Sequence, residues 1–442
     1  MLLNFHGIST FLTLLMFSLT SVFAAETVIK SEALPEPLTL DLALSLIDQQ
    51  HPDLRYIEAE LKNADSSLQQ AISNNDLSIS LKADARWVEP SILAPNQSNE
   101  DHRIGLFVNK TLYDFGRSSA KVDAASQQVL SQSMQYLNAK QRQYLMVMKR
   151  YFDVVLADLQ YYRYNEEMAV AYIQYDRIQV RQKLGQYTEV DVAEKEVEYQ
   201  RVRRLRTYSQ NQQRVTRSLL AQALNKPNNL PATVAKPEID VVSRKLPDIE
   251  TLQKAVNDNN PILRALRAKL VASKKNIDYA RSTNNPMLTG GIEAYDYARE
   301  IASSDQWRAN VTLEIPLWSG GRTDAAVAKA KAKVYKIEAQ LEQQELATQQ
   351  QVLELWLGLE TLKIKHAEVL AGMNFTELSL DKSRALYELE VTSDLGYSMV
   401  KFSEAERKVV QTNFDIALAW AQLDALSGNL LSKTTTNETL IN

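Results

Sequence analysis

No cysteine occurs in the 442 residues. That excludes disulfides, thiolate metal sites, a cysteine nucleophile and a bacterial lipoprotein anchor. Glycine and proline are scarce, 12 of each, so turns are few, and the Ala-, Gln-, Leu-, Glu- and Lys-rich middle stretches favour extended helices. Net charge is small, −4 with a pI near 5.8, which gives no general attraction for nucleic acid. The basic run Arg201, Arg203, Arg204 and Arg206 reads as a solvated helix face, with Glu194, Glu196 and Glu198 one to two turns upstream to pair with it. Histidines number four, and His51, His102 and His366 are scattered over a turn, a strand edge and a helix. No phosphate-binding glycine loop, nucleophile elbow or spaced metal-ligand cluster is present. Carboxylates on solvated helix faces do not make an acid–base pair. The chain is therefore read as no enzyme, with no catalytic, cofactor or metal site.

Long apolar runs are also missing, except from Phe11 to Phe23, which leads into Ala24 and Ala25. With polar Glu26 and Lys30 following at once, residues 1–24 read as a secretory signal peptide rather than an anchoring helix, although the segment before the apolar run carries neither Lys nor Arg. The mature chain then has no membrane-spanning helix.

What is present is a paragraph written twice, about 205 residues apart. Thr111-Leu112-Tyr113-Asp114-Phe115-Gly116-Arg117 corresponds to Pro316-Leu317-Trp318-Ser319-Gly320-Gly321-Arg322, each a strand running into a turn and a long polar helix. The copies also open alike, with Leu40, Ala43 and His51-Pro52 against Leu252, Ala255 and Asn260-Pro261. Duplication implies one elongated object of two equivalent halves. The boundaries are a first repeat over 25–224, a linker over 225–247 interrupted by Pro227, Pro231, Pro237 and Pro247, a second repeat over 248–428, and a disordered tail over 429–442.

Residues 77–87 alternate without a break, apolar at odd positions and polar at even ones, and Trp307 to Leu317 repeats the pattern. Their partners, 103–113 and 288–298, are interrupted by Lys110 and Asp296. Two hairpins follow, 77–113 and 287–318. Strands of about 9 to 11 residues cross a bilayer when tilted, and alternation suits lipid on one side and water on the other. A soluble sandwich with one wet face shows the same alternation. Trp87, Trp307, Trp318, Tyr113, Tyr295 and Tyr297 lie at or near strand ends, where aromatic rings favour a membrane interface.

Proline-free stretches from Arg117 to about Leu184 and from Arg322 to about Leu389 follow the hairpins. At about 1.5 Å per residue each helix reaches about 100 Å. Leu346, Leu353, Leu357 and Ile364 form a narrow apolar seam broken by Gln350 and Glu360, as in helices packed side by side around something wet. Return helices span 188 to about 224 and 393 to about 427, and shorter ones, 53–74 and 261–283, lead into the hairpins. Four strands cannot close a barrel, and an open edge in lipid leaves unpaired backbone groups costing several kcal/mol each. The barrel must be shared. Two copies give eight strands and three give twelve, and the spacing fixes neither.

These residues resemble the TolC-type outer-membrane efflux proteins, on both strand-to-helix signatures and over Leu38 to Gly428. The resemblance implies an α+β membrane protein: a homotrimer whose 12-stranded outer-membrane β-barrel, four strands per chain, continues as a long periplasmic α-helical coiled-coil tunnel, each chain holding two internal structural repeats. It implies the exit duct of a tripartite efflux pump or type I secretion system, in the bacterial outer membrane and extending into the periplasm. The expected partners are a periplasmic adaptor (membrane fusion) protein, an inner-membrane transporter and outer-membrane lipid, with no nucleic acid.

The family's tip pattern is an apolar residue, Gly, two residues, Ser or Thr, two residues, Asp. Leu184, Gly185, Thr188 and Asp191 match it; in the second half Leu389 and Ser393 match, but Glu390 replaces Gly and Gly396 replaces Asp. The adaptor-contact tip is thus Leu184, Gly185, Thr188, Asp191, Leu389, Glu390 and Ser393, with the first turn expected to carry most of the contact. Tyr387 and Asp191 are candidates for an entrance gate closed by a phenol–carboxylate hydrogen bond. Strand parity assigns Ser78, Ser80, Lys82, Asp84, Arg86, Arg308, Asn310, Thr312 and Glu314 to the barrel lumen; their mixed charge suits a broad duct rather than a filter. The competing expectation is a periplasmic coiled-coil adaptor or scaffold not embedded in the outer membrane.

Overall fold

A computed structural model describes residues 34–47, 50–240, 244–299, 305–391 and 394–431. The expected signal peptide, Ser393 and residues 432–442 lie outside them.

A short helix, α1 (Leu40–Ser45), is capped by the Thr39 hydroxyl. The next helix, α2 (Pro52–Ser73), starts on proline with His51 accepting the Asp53 N–H, proline's fixed φ suiting the first helical turn. The hairpin of β1 (Ser78–Asp84) and β2 (Arg103–Tyr113) follows, then α3 (Arg117–Lys183) of 67 residues and its return helix α4 (Glu189–Ala223). The second half runs α5 (Ile249–Asn259), α6 (Pro261–Ser282), β3 (Met287–Tyr297), β4 (Trp307–Glu314), α7 (Arg322–Glu388), again 67 residues, and α8 (Leu395–Leu426).

The strands form one antiparallel sheet in the order β1-β2-β3-β4, so β1 and β4 are its edges. Both long helices leave the sheet through two successive left-handed residues, Phe115-Gly116 (φ 52 and 90) and Gly320-Gly321 (φ 62 and 76). Helix α3 lies between α2 and α6, α7 lies against α6, and each long helix pairs with its return helix. None of the helices among the described residues is long and apolar enough to cross a membrane.

The main core lies partway along the helices. Tyr151 is fully buried and donates to the carbonyls of Leu38 at 2.9 Å and Ala235 at 2.6 Å, tying α3 to the parallel bridge between Leu38 and Val234. Beside it Phe152 of α3 stacks on Phe414 of α8, centroids 4.1 Å apart and planes within 8°, a pair contributing about 0.5–1.5 kcal/mol beyond its buried area. Leu430 is buried in this cluster, so the tail expected to be disordered from 429 begins by packing. A second cluster gathers α5, α7 and α8 around Trp420, whose ring lies 4.0 Å from the Arg244 guanidinium; Arg244 forks onto Asp424 at 2.6 and 2.8 Å. Linker residue Arg244 thus anchors the second half.

Candidate channel wall and periplasmic tips

Register turns alternation into two continuous faces. Ser78, Ser80, Lys82 and Asp84 stand opposite Asn109, Phe107, Gly105 and Arg103; those residues face Gly291, Glu293, Tyr295 and Tyr297, and Glu293 and Gly291 face Arg308 and Asn310. Thr312 and Glu314 continue that face on β4. The other face carries Ile79, Leu81, Ile104, Leu106, Val108, Ile292, Trp307, Val311 and Leu313. Except for its outlying Lys110 and Asp296 it is apolar, yet Ile79, Leu81, Trp307 and Val311 are each at least 65% exposed in the single chain. A face so apolar and so exposed needs a covering medium.

One assigned lumen residue falls outside the strands. Strand β1 stops at Asp84, and Arg86 lies in the following loop, paired with Asp101 at 2.7 Å while its N–H bonds His102 Nδ1. Alternation persists beyond the ladder because the loop is itself held, by a bridge from Trp87 to Glu100. The polar face also holds an aromatic group that strand parity alone did not single out: Phe107 and Tyr295 meet edge-on at 5.4 Å, Tyr295 stacks on Tyr297, and Lys82 lies 4.5 Å above the Phe107 ring. Gly105 leaves room for them, since a Cβ there would lie 2.9 Å from both rings.

At the far end of α3, Gly185 takes φ +72, and the Gln186 N–H reaches back to the Arg181 carbonyl at 3.1 Å, a Schellman closure. Thr188 then caps α4. Its hydroxyl accepts the Asp191 N–H at 3.3 Å, while Asp191 Oδ2 accepts the Thr188 N–H at 2.8 Å and hydroxyl at 2.7 Å. This reciprocal pair satisfies two orphan donors of the helix start. The Thr188 hydroxyl, then its N–H, hold the Asp191 carboxyl below the usual range. Leu184 and Val190 flank the turn, 70% and 76% exposed.

The second tip makes the same backbone turn from a different sequence. Glu390 adopts φ 55, and the Val391 N–H reaches the Leu386 carbonyl at 3.0 Å. A side chain in that left-handed region costs about 1–2 kcal/mol, so here the turn is made under strain. What changes is the return helix. Asp394 gives α8 no side-chain cap, and Gly396, standing where α4 has Asp191, sits against Val170 of α3; a Cβ there would lie 2.7 Å from Val170 Cγ2. Gly396 thus exchanges the capping carboxylate for close helix packing, which no pattern within one repeat reveals. Tyr387 is exposed, and among the described residues no hydrogen bond joins it to Asp191. Both Thr188 bonds use Oδ2 of Asp191, leaving Oδ1 without a bond within the chain among the described residues. Of the basic run on α4, Arg201 pairs with Glu198 at 2.7 Å and Arg206 donates to the Tyr161 hydroxyl at 2.9 Å. No group of three or more potential metal ligands occurs among the described residues.

Residues 252–374 match the family model described as outer membrane efflux protein. Over that stretch, less than a third of its length, the chain is similar to the outer-membrane efflux proteins. The match includes the Pro316–Arg322 signature and neither tip turn. Protein CyaE of Bordetella pertussis is 24% identical over 262 residues, a match covering 58% of this chain and 55% of CyaE, so the chain spans about half the length of that curated relative. Among solved structures, the outer membrane protein VceC of Vibrio cholerae superposes with a TM-score of 0.72 at 16% identity, covering 88% of this chain and 96% of VceC. The CmeC outer membrane channel of Campylobacter jejuni gives 0.74 at 14%, covering 90% and 88%. These likenesses to solved structures are likenesses of fold.

Proposed function

We propose that three copies of this chain close a twelve-stranded barrel and continue it as a helical tunnel. This homotrimer serves as the exit duct of a tripartite efflux pump or type I secretion system, joined through a periplasmic adaptor to an inner-membrane transporter. The observation that carries this reading is the sheet: one exposed apolar face, one polar face and two unpaired edges. Such an object is stable in lipid only when the edges are closed on other copies. Purified protein is expected to size as a trimer of mature subunits, each lighter than the 50.0 kDa of the full 442 residues, to fractionate with outer membranes and to conduct ions across a planar bilayer. Release as a soluble periplasmic monomer without conductance is the result that would replace the duct with a scaffold.

At the entrance, the free Oδ1 of Asp191 and the exposed Tyr387 phenol are the complementary groups of the gate. Tyr387→Phe is expected to raise resting conductance and antibiotic leak, and wild-type leak in that variant would remove the gate. Acid should act likewise. A lowered carboxyl pKa means that the tip cap is intact above about pH 4, the usual carboxylate range, and is lost as pH falls through the lower folded value.

A further inference from the structure

The two halves are superposable in register, and this predicts the seam between copies. The pair Ser78↔Asn109 of β1·β2 recurs as Met287↔Glu314 of β3·β4, and Leu81↔Leu106 recurs as Gly290↔Val311. The first strands are therefore offset by 209 residues (Ser78 to Met287) and the second by 205 (Asn109 to Glu314). The turns correspond as well: Ser118 Oγ bonds Asn75 Oδ1 at 2.6 Å, and Thr323 Oγ1 bonds Asn284 Oδ1 at 2.7 Å.

One junction has no counterpart within the chain. Where the halves meet, β2 pairs β3 with Asn109 opposite Gly291, and the Arg117 guanidinium clasps the end of α6, donating to the carbonyls of Ser282 at 3.1 Å, Thr283 at 3.0 Å and Asn285 at 3.5 Å. Among the described residues the side chain of the equivalent Arg322 donates only to the neighbouring Ser319 carbonyl, at 3.1 Å. Its natural target, the end of α2, is exposed at Ser73, Asn74 and Asp76, and β1 and β4 are bare edges.

We infer that β4 of one copy pairs with β1 of the next in the β2·β3 register, placing Glu314 opposite Lys82 on the lumen face, with Arg322 clasping the end of α2 across the seam. The inference rests on the trimeric reading above and adds the register and the residues that lock it. Charge supports it. Lys82 and Glu314 have opposite signs, and neither has an ion-pair partner among the described residues. Asp76 stands where α6 has Asn285, so the clasp between copies gains a carboxylate that the clasp within the chain lacks. The same offsets set Leu313 against Ala83 and Ile315 against Leu81, continuing the apolar face without a break.

Because the chain has no cysteine, the test is clean. Lys82→Cys with Glu314→Cys, oxidised with copper phenanthroline in outer membranes, is expected to give a disulfide-linked trimer. Lys82→Cys with Thr312→Cys, two residues out of register, is expected to link at least about tenfold less, since diagonal partners stand beyond disulfide reach. Stronger linking of the second pair, in protein that still sizes as a trimer, would overturn the register and leave the duct standing. Protein that sizes as a monomer overturns the trimer and the seam with it. Arg322→Ala is expected to lower the temperature at which the detergent-solubilised trimer dissociates while subunit helicity is retained; a dissociation temperature equal to wild type would overturn the clasp.

Discussion

Tyr151→Ala is expected to be the most destabilising single substitution in the helical part of the chain, by about 3–5 kcal/mol, the usual range for deleting a buried aromatic ring. The site has every condition for a large effect: the ring is fully buried, it neighbours the Phe152–Phe414 stack, and its hydroxyl satisfies two carbonyls from segments far apart in sequence. Tyr151→Phe keeps the ring and leaves the Ala235 carbonyl without its donor, while the Leu38 carbonyl keeps the Ala235 N–H at 2.9 Å, for an expected loss of about 1–3 kcal/mol. Denaturant midpoints of the detergent-solubilised protein measure both, and the amount reaching the outer membrane should fall in the same order. A midpoint for Tyr151→Phe equal to wild type would dismiss the hydroxyl as a tie. Burial, then the nearby Asp41 charge, push the Tyr151 hydroxyl up to about 12. A raised folded value means that its contribution is fully present below the unfolded value near 10 and is lost as pH rises from there through 12. Wild type should therefore lose more stability than Tyr151→Phe between those pH values.

Gly185→Trp is expected to abolish export while leaving the trimer assembled. Leaving out its two chain neighbours, no atom stands within 4 Å of a Cβ built at Gly185, so the first atom of the new side chain has open space, and the expected cost to folding is that of the left-handed backbone, about 1–2 kcal/mol. The second tip carries that cost already, at Glu390. A loss of export then reports on what docks between Leu184 and Val190. Trimer yield, adaptor crosslinking and export are measured together. Unchanged export would mean that the first tip is not the main contact, and a failed trimer would mean that the turn is needed for folding instead.

What the sequence makes legible is whatever repeats within one element. Alternation in Leu77 to Trp87 needs only the residues themselves, and so do the proline-free helices that the structure ends at Lys183 and Glu388. The short helices α1 and α5 are too brief for periodicity to declare them; their signals are the caps, Thr39 and Asp248. Features that depend on a distant neighbour are not legible. Arg117 reads as the start of a polar helix until Ser282 is brought to it, and Gly396 reads as a damaged tip motif until Val170 is seen against it. Lys110 and Asp296 interrupt the pattern without interrupting the ladder, because strand pairing uses backbone groups and tolerates a polar side chain on either face.

The equal length of α3 and α7 makes the pair a gauge. Both helices leave the sheet through the same left-handed turn and both run 67 residues, so each tip stands the same number of residues, and hence the same rise and rotation, from its own exit turn. Removing a single residue from either helix withdraws its tip by about 1.5 Å and swings it through about 100°, which points its exposed leucine away from any docking ring that the other tip still meets. Insertions and deletions in these helices are thus tolerable only as whole turns made in both at once.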